Sequence, residues 1–255
     1  MNANGTSPNL PCSPDSRSKR RRFDWHALLL PLMICCPDGV LERAGLPSLR
    51  SARHSRTAAS LGARHLDIAC GSNFLKELRP SSQVVGLDLQ IARPKFDPTV
   101  VGLADRLPFA NEAFDSVSMI ACLNHFGDRE AVIAEVHRVL KPGGRSIVTM
   151  IGPFVGFVCH KFRFWYQDTL YRPVHPAEVD GMEISWILDL FQAAGMTCAH
   201  HKTFLAGLNS IFVFEKPELH ASQADPVDRV DCSARSKVNT IPAATAAAST
   251  PYETV

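Results

Sequence analysis

Asp67 lies in a short apolar run, and the small-residue turn Cys70-Gly-Ser-Asn73 follows almost at once. An apolar run closed by Gly and Asn predicts a buried strand that bends sharply into a helix. Such a turn brings bare backbone N–H groups to a helix N-terminus, where a ligand's polar groups can be held. The Asp67 carboxylate suits a ligand that carries positive charge as well as hydroxyls. A second near-continuous apolar run, Val84-Val-Gly-Leu-Asp-Leu89, also places an acid, Asp88, at its end.

The elements that must position these groups alternate. Strands are expected at His65–Cys70, Val84–Leu89, Thr99–Gly102, Val117–Cys122 and Ser146–Met150. Between the last two, Asp128 can cap a helix running to Leu140, with Val132, Val136, Val139 and Leu140 on one face. Lys141-Pro-Gly-Gly144 stops that helix. Strands without polar alternation, separated by helices, imply a parallel sheet buried on both faces. Ile187, Leu190, Phe191 and Ala194 then share a helical face, with Gly195 as a stop. Thr197–Phe204 and Ser210–Glu215 read as two final strands joined by a tight connection, which would place one antiparallel strand in the sheet.

The chain of 255 residues, 45% hydrophobic with formal charge +2, can bury one sizeable α/β core. Near-neutral charge argues against a dedicated nucleic-acid binder. Eight scattered cysteines without C-x-x-C spacing fit buried thiols in a reducing, cytoplasmic setting. Residues 1–22 and 218–255 are expected to be disordered tails. Residues 23–60 read as a helical lead-in broken at Pro37 and Pro47. Lys19–Arg22 followed by Ala27–Cys36 resembles a signal peptide, and export is the lesser reading. The apolar run, interrupted by Pro31, is too short to span a bilayer.

His65–Asn73, Val84–Leu89, Leu107-Pro-Phe109, Phe114-Asp115 and Arg138-Val-Leu-Lys-Pro-Gly-Gly144 come in the order and spacing of class I S-adenosylmethionine (SAM) methyltransferases. The match is closest to the branch of ubiquinone and menaquinone biosynthesis methyltransferases, and it covers residues 61–217. The resemblance implies a Rossmann-like α/β fold in three αβα layers: a seven-stranded, mostly parallel sheet with the last strand antiparallel. It implies SAM as cofactor, lying across the carboxyl ends of the first strands. Asp67, Ala69, Cys70 and Gly71 would line its methionine part. Asp88 would accept hydrogen bonds from the ribose hydroxyls, with Leu89 beside it. Ala104 and Asp105 would flank adenine, and Ala121 and Cys122 would face the sulfonium and its methyl. The chain departs from the family at Asn73, where Gly is usual and which Asn can replace in a left-handed conformation, and at Leu103, where Asp is usual.

Methyl transfer from SAM is a direct displacement at carbon, so the protein mainly aligns the acceptor and excludes water. His125, just after the fourth strand, could take a proton from an acceptor hydroxyl; packing or capping is its plainer role. The acceptor would be a small molecule, free or lipid- or sugar-linked. It would meet an aromatic lid at about 151–181, where His160, Trp165 and Tyr166 are candidate contacts. No metal-ligand set appears. Two rivals stand beside this reading. A nicotinamide oxidoreductase would need G-x-G-x-x-G after the first strand, of which only Gly71 is present. A methyltransferase-like binding module would have lost activity.

Overall fold

The computed structural model describes residues 25–89, 99–162 and 175–218. Three helices lead in: α1 (Trp25–Cys35), α2 (Asp38–Arg43) and α3 (Leu49–Ala58). The core then runs β1 (Arg64–Ile68), α4 (Phe74–Leu78), β2 (Gln83–Asp88), β3 (Thr99–Val101), β4 (Phe114–Ile120), α5 (Arg129–Val139) and β5 (Leu140–Ile151). After it come α6 (Pro153–Phe162), α7 (Ile184–Ala193), β6 (Thr197–Phe204) and β7 (Asn209–Glu215).

The seven strands form one sheet in the order β3-β2-β1-β4-β5-β7-β6. Every pair from β3 to β5 is parallel. Strand β7 runs antiparallel between β5 and β6. The order changes direction at β1, which lies between β2 and β4, and the Asp67 turn leaves the sheet at that switch point. Open α/β sheets bind ligands there.

Strand register sorts the side chains onto two faces. Leu66 is level with Val85 and Val117, and Ile68 with Leu87 and Met119. This face buries Val132, Val136 and Val139 of α5 and Ile187 and Phe191 of α7, extending over Phe212 and Phe214 of β7. The opposite face carries Ile147, Ile211 and Val213 against Leu49 and Ala52 of α3, and Val84 against Ala58 and Leu75. The result is the three-layer αβα arrangement expected.

Two local differences have physical causes. Helix α1 continues through Pro31, although proline removes a helical N–H donor. Strand β5 begins at Leu140, earlier than the sequence suggests, because Leu140 pairs with Phe114 before a register shift carries the Lys141–Gly144 segment past. Gly143 adopts a φ of 72° there. The ammonium of Lys216 donates to the carbonyls of His137 and Leu140 at 3.0 and 2.8 Å, satisfying the last turn of α5.

Candidate functional site

At the carboxyl edge of β1 the backbone is forced into unusual conformations. Ala69 (φ 56°) and, beyond β4, Ala121 (φ 53°) are both left-handed without being glycine. Residues held in such regions concentrate where the chain must bend close to a ligand. Asn73 is also left-handed, at φ 52° and ψ 45°, and fully buried at the head of α4. Its side chain lies over Gly86 of β2, so close that a Cβ there would stand 2.9 Å from Asn73 Cγ. The turn therefore closes with Asn in the glycine-type conformation, and its amide fills space above the neighbouring strand.

The two acids differ in setting. Asp67 is 1% exposed and accepts from Ser118 Oγ of β4 at 2.5 Å. Burial pushes its carboxyl up to about 7; the Ser118 hydrogen bond acts against this, and the nearby Asp88 carboxylate adds to it. Asp88 is half-buried at the end of β2, and its Oδ2 accepts the Gly71 N–H at 2.8 Å. The N–H expected to await a ligand is thus engaged by Asp88, because the turn folds back onto the end of β2.

Cys70 and Cys122 are buried, and burial pushes both thiols upward, with Asp67 and Asp88 adding to it. They pack as inert apolar groups. Ala104 is half-buried against the core, whereas Asp105 is exposed in the turn bridged by Leu103 and Arg106. Leu89 is 47% exposed just past β2.

After Cys122 the chain makes a 3₁₀ turn, Leu123–His125, that aims at a segment arriving from far along the sequence. Asn124 and Val179 are clamped to each other: Val179 N–H donates to the Asn124 carbonyl at 3.1 Å, and Asn124 Nδ2 donates to the Val179 carbonyl at 2.9 Å. Buried Arg129 donates to the Leu123, Asn124 and Ala177 carbonyls at 3.2, 2.9 and 2.8 Å and lies over the Trp186 ring. This clamp brings His125 Nδ1 to 3.0 Å from Glu178 Oε2. The other Glu178 oxygen accepts the His175 N–H at 2.9 Å. Beside the pair opens a cavity of about 600 Å³ lined by Glu178, Asp180, Glu183, Phe157 and Trp186. Its walls come together because α6 touches the 180–181 backbone directly, where a Cβ on Gly156 or Gly181 would collide with main-chain atoms. His160 lies in α6. Trp165 and Tyr166 lie outside the described residues.

Several residues that carried the resemblance are structural. Arg138 donates to the Leu107 and Phe109 carbonyls at 3.0 and 2.8 Å while paired with Glu135, which itself accepts the Leu107 N–H at 2.7 Å. Asp115 accepts from the Arg64 N–H at 2.8 Å and from Lys141 Nζ at 2.6 Å. The Arg129 clamp and the Lys216 cap were not foreseen. Each joins residues more than 40 positions apart, and only a basic side chain close to an apolar stretch marks them in the sequence.

Residues 66–148 match the methyltransferase domain. The chain is 30% identical over 172 residues to a ubiquinone/menaquinone biosynthesis C-methyltransferase from Desulfotalea psychrophila, covering 56% of this chain and 69% of that one. It is 38% identical over 188 residues to a demethylmenaquinone methyltransferase from Thermus thermophilus, covering 60% of this chain and 83% of its relative. The chain belongs to the SAM-dependent methyltransferase family. The methyltransferase also shares its fold with a solved protein from Pyrococcus horikoshii, at 20% identity and a TM-score of 0.52, covering 66% of this chain and 91% of that one.

The residues present fit SAM. A buried carboxylate, two left-handed alanines on adjacent strand ends and an acid closing β2 offer groups that suit a ligand with an ammonium group and vicinal hydroxyls. If Asp67 receives that ammonium, binding requires its ionised form. Lowering the pH from 7.5 to 5.5 should then weaken S-adenosylhomocysteine binding, approaching tenfold per pH unit below Asp67's value of about 7. Calorimetric titration across that range checks it, and a flat profile would refute the ammonium contact. Stability should respond less. Asp67 favours the fold at low pH and loses that advantage as pH rises through about 7. Buried His65, lowered to about 3, favours the fold above its ordinary range and loses that advantage as pH falls. Between the two values the effects oppose.

Proposed function

We propose that this methyltransferase acts in the cytoplasm on a small-molecule acceptor, free or lipid-linked, that carries an acidic hydroxyl, and that His125 removes the hydroxyl proton. The observation that carries this reading is the His125–Glu178 pair, 3.0 Å apart beside a cavity with aromatic walls, with His125 closing the 3₁₀ turn that follows β4. An ionised Glu178 can only accept, so the Nδ1 of His125 carries the proton and Nε2 is left as the base. Bound SAM supplies an electrophilic methyl on its sulfonium. Asp67, Ala69, Cys70 and Gly71 would hold its methionine end, Asp88 and Leu89 its ribose, Ala104 and Asp105 its adenine. Ala121 and Cys122 shape the space where acceptor and methyl meet. Phe157 and Trp186 would bind a flat ring, and packing around it excludes water.

The names of the relatives point to a quinone ring as acceptor and to carbon as the methylated atom. In the reduced, hydroquinone form of that ring, loss of a hydroxyl proton to His125 would enrich the ring in electrons and make a ring carbon nucleophilic. That carbon would take the methyl from the sulfonium and then give up its own hydrogen as a proton to restore the aromatic ring. Cys70 and Cys122, buried and free of disulfides, accord with a reducing compartment. No described helix is long and apolar enough to cross a membrane.

Labelled methyl transfer from SAM into a cell extract, followed by fractionation into lipid, saccharide and small-molecule pools, tests the acceptor. Label in a quinone-containing lipid fraction is expected; label confined to saccharide would exclude this acceptor. With the acceptor in hand, His125→Gln should lower kcat about a hundredfold and leave S-adenosylhomocysteine affinity within about twofold. An unchanged kcat would remove His125 from the chemistry.

A further inference from the structure

Behind Asp67 runs a buried polar ladder that the proposed chemistry does not use. Register places His65 level with Ser116 and Asp67 level with Ser118, so all four side chains share the sheet face covered by α3 and α4. The Gly62 N–H donates to Ser116 Oγ at 2.8 Å. Ser116 Oγ lies 2.7 Å from His65 Nδ1, and His65 Nε2 lies 2.9 Å from Ser118 Oγ. Ser118 donates to Asp67 Oδ1 at 2.5 Å. His65, Ser116 and Ser118 are each 1% exposed or less.

The two ends of this ladder dictate its direction. A backbone N–H only donates and an ionised carboxylate only accepts. With Asp67 ionised, Ser118 gives its proton to Asp67 and receives from His65 Nε2–H, so Ser116, which receives from Gly62, gives its one proton to His65 Nδ1. The neutral ring must carry its proton on Nε2 and donate to Ser118, whose proton is then committed to Asp67. If Asp67 takes up a proton and donates to Ser118, the Ser118 proton turns to Nε2, and the ring proton must sit on Nδ1. One tautomer of His65 corresponds to each charge state of Asp67.

We propose that His65 is a positioning residue for SAM binding: through Ser118 it commits the hydroxyl proton to the ionised Asp67 and so orients that carboxylate for the cofactor's ammonium. The proposal rests on the reading of Asp67 as the ammonium contact. The charged group acting on Asp67 is Asp88 of β2; the neighbouring thiols of Cys70 and Cys122 are themselves pushed up by burial, with Asp67 and Asp88 adding to it. Ala58 of α3 and Leu75 of α4, with Val84 of β2, cover this face as apolar groups.

The test uses the whole chain with S-adenosylhomocysteine as probe. In ¹⁵N spectra at pH 6 the His65 ring should move from Nδ1–H to Nε2–H as the probe saturates the protein. A ring that keeps one tautomer throughout would overturn the relay. Ser116→Ala touches neither Asp67 nor Ser118, yet it frees His65 Nδ1. It should weaken binding about tenfold, the size of one charge-assisted hydrogen bond, with folding confirmed by thermal melting. His65→Val should do the same, and Ser116→Ala decides if that variant does not fold. Asp67→Asn separates the two layers of the argument. If it binds as wild type, the ammonium contact itself is wrong. If it loses binding while Ser116→Ala retains wild-type affinity, the relay alone fails.

Discussion

Asp88→Ala is expected to weaken S-adenosylhomocysteine binding about a hundredfold. Two neutral hydroxyls donating to one carboxylate form charge-assisted bonds, each worth about 1.5–3 kcal/mol when its partner is lost. Part of this is offset, because the carboxylate already accepts the Gly71 N–H at 2.8 Å and must share or release it. The substitution also removes the tie between the turn and β2, so the turn would lose order in the free protein. Calorimetric titration measures the loss. Binding indistinguishable from wild type would remove Asp88 from the site and leave the SAM reading of this crevice without its ribose contact.

Gly86→Ala should give the largest effect on stability. The strand-centre glycine faces the turn, and an added Cβ would stand 2.6 Å from Cys70 Sγ and 2.9 Å from Asn73 Cγ and Nδ2. Overpacking of this kind costs about 1–3 kcal/mol, which lowers Tm by roughly 5 °C for a chain of this size. The space is contested by Asn73, so Asn73→Gly in the same chain should restore part of the loss. Glycine is at ease at φ 52° and vacates the crowded volume. Thermal melts of the two single variants and the double variant check the coupling. Additive losses would mean that Asn73 does not occupy the space above Gly86.

The sheet was legible because its inner strands advertise themselves. Val84–Leu87 and Met119–Cys122 are apolar enough that burial on both faces explains them, and parallel pairing follows. The late antiparallel strand was legible from the short Ala206–Asn209 connection. What escaped the sequence is what depends on register. His65 and the Ser116/Ser118 pair are separated by about 50 positions, and nothing local says that β1 lies beside β4 with these three in line. The Asn124–Val179 clamp that delivers Glu178 to His125 escaped for the same reason. Exposure was also hard to foresee: Asp105 and Leu89 occupy the expected stretches but are exposed. Family spacing locates a loop without fixing which of its side chains turn inward.

The docking of α3 reaches further than support. His54 of this helix packs edge-on to Phe74 at 5.4 Å, Arg50 lies over the same ring, and Ala58 closes the apolar cover beside the ladder. Phe74 directly follows Asn73, so the lead-in helix and the turn after β1 rest on one shared ring. If this turn takes the cofactor, as proposed, ligand occupancy and helix docking are linked through that ring, and linkage is reciprocal. The coupling free energy would then act both ways: bound cofactor would make α3 resist local unfolding, and a partner that pulled α3 away would lower cofactor affinity by the same factor.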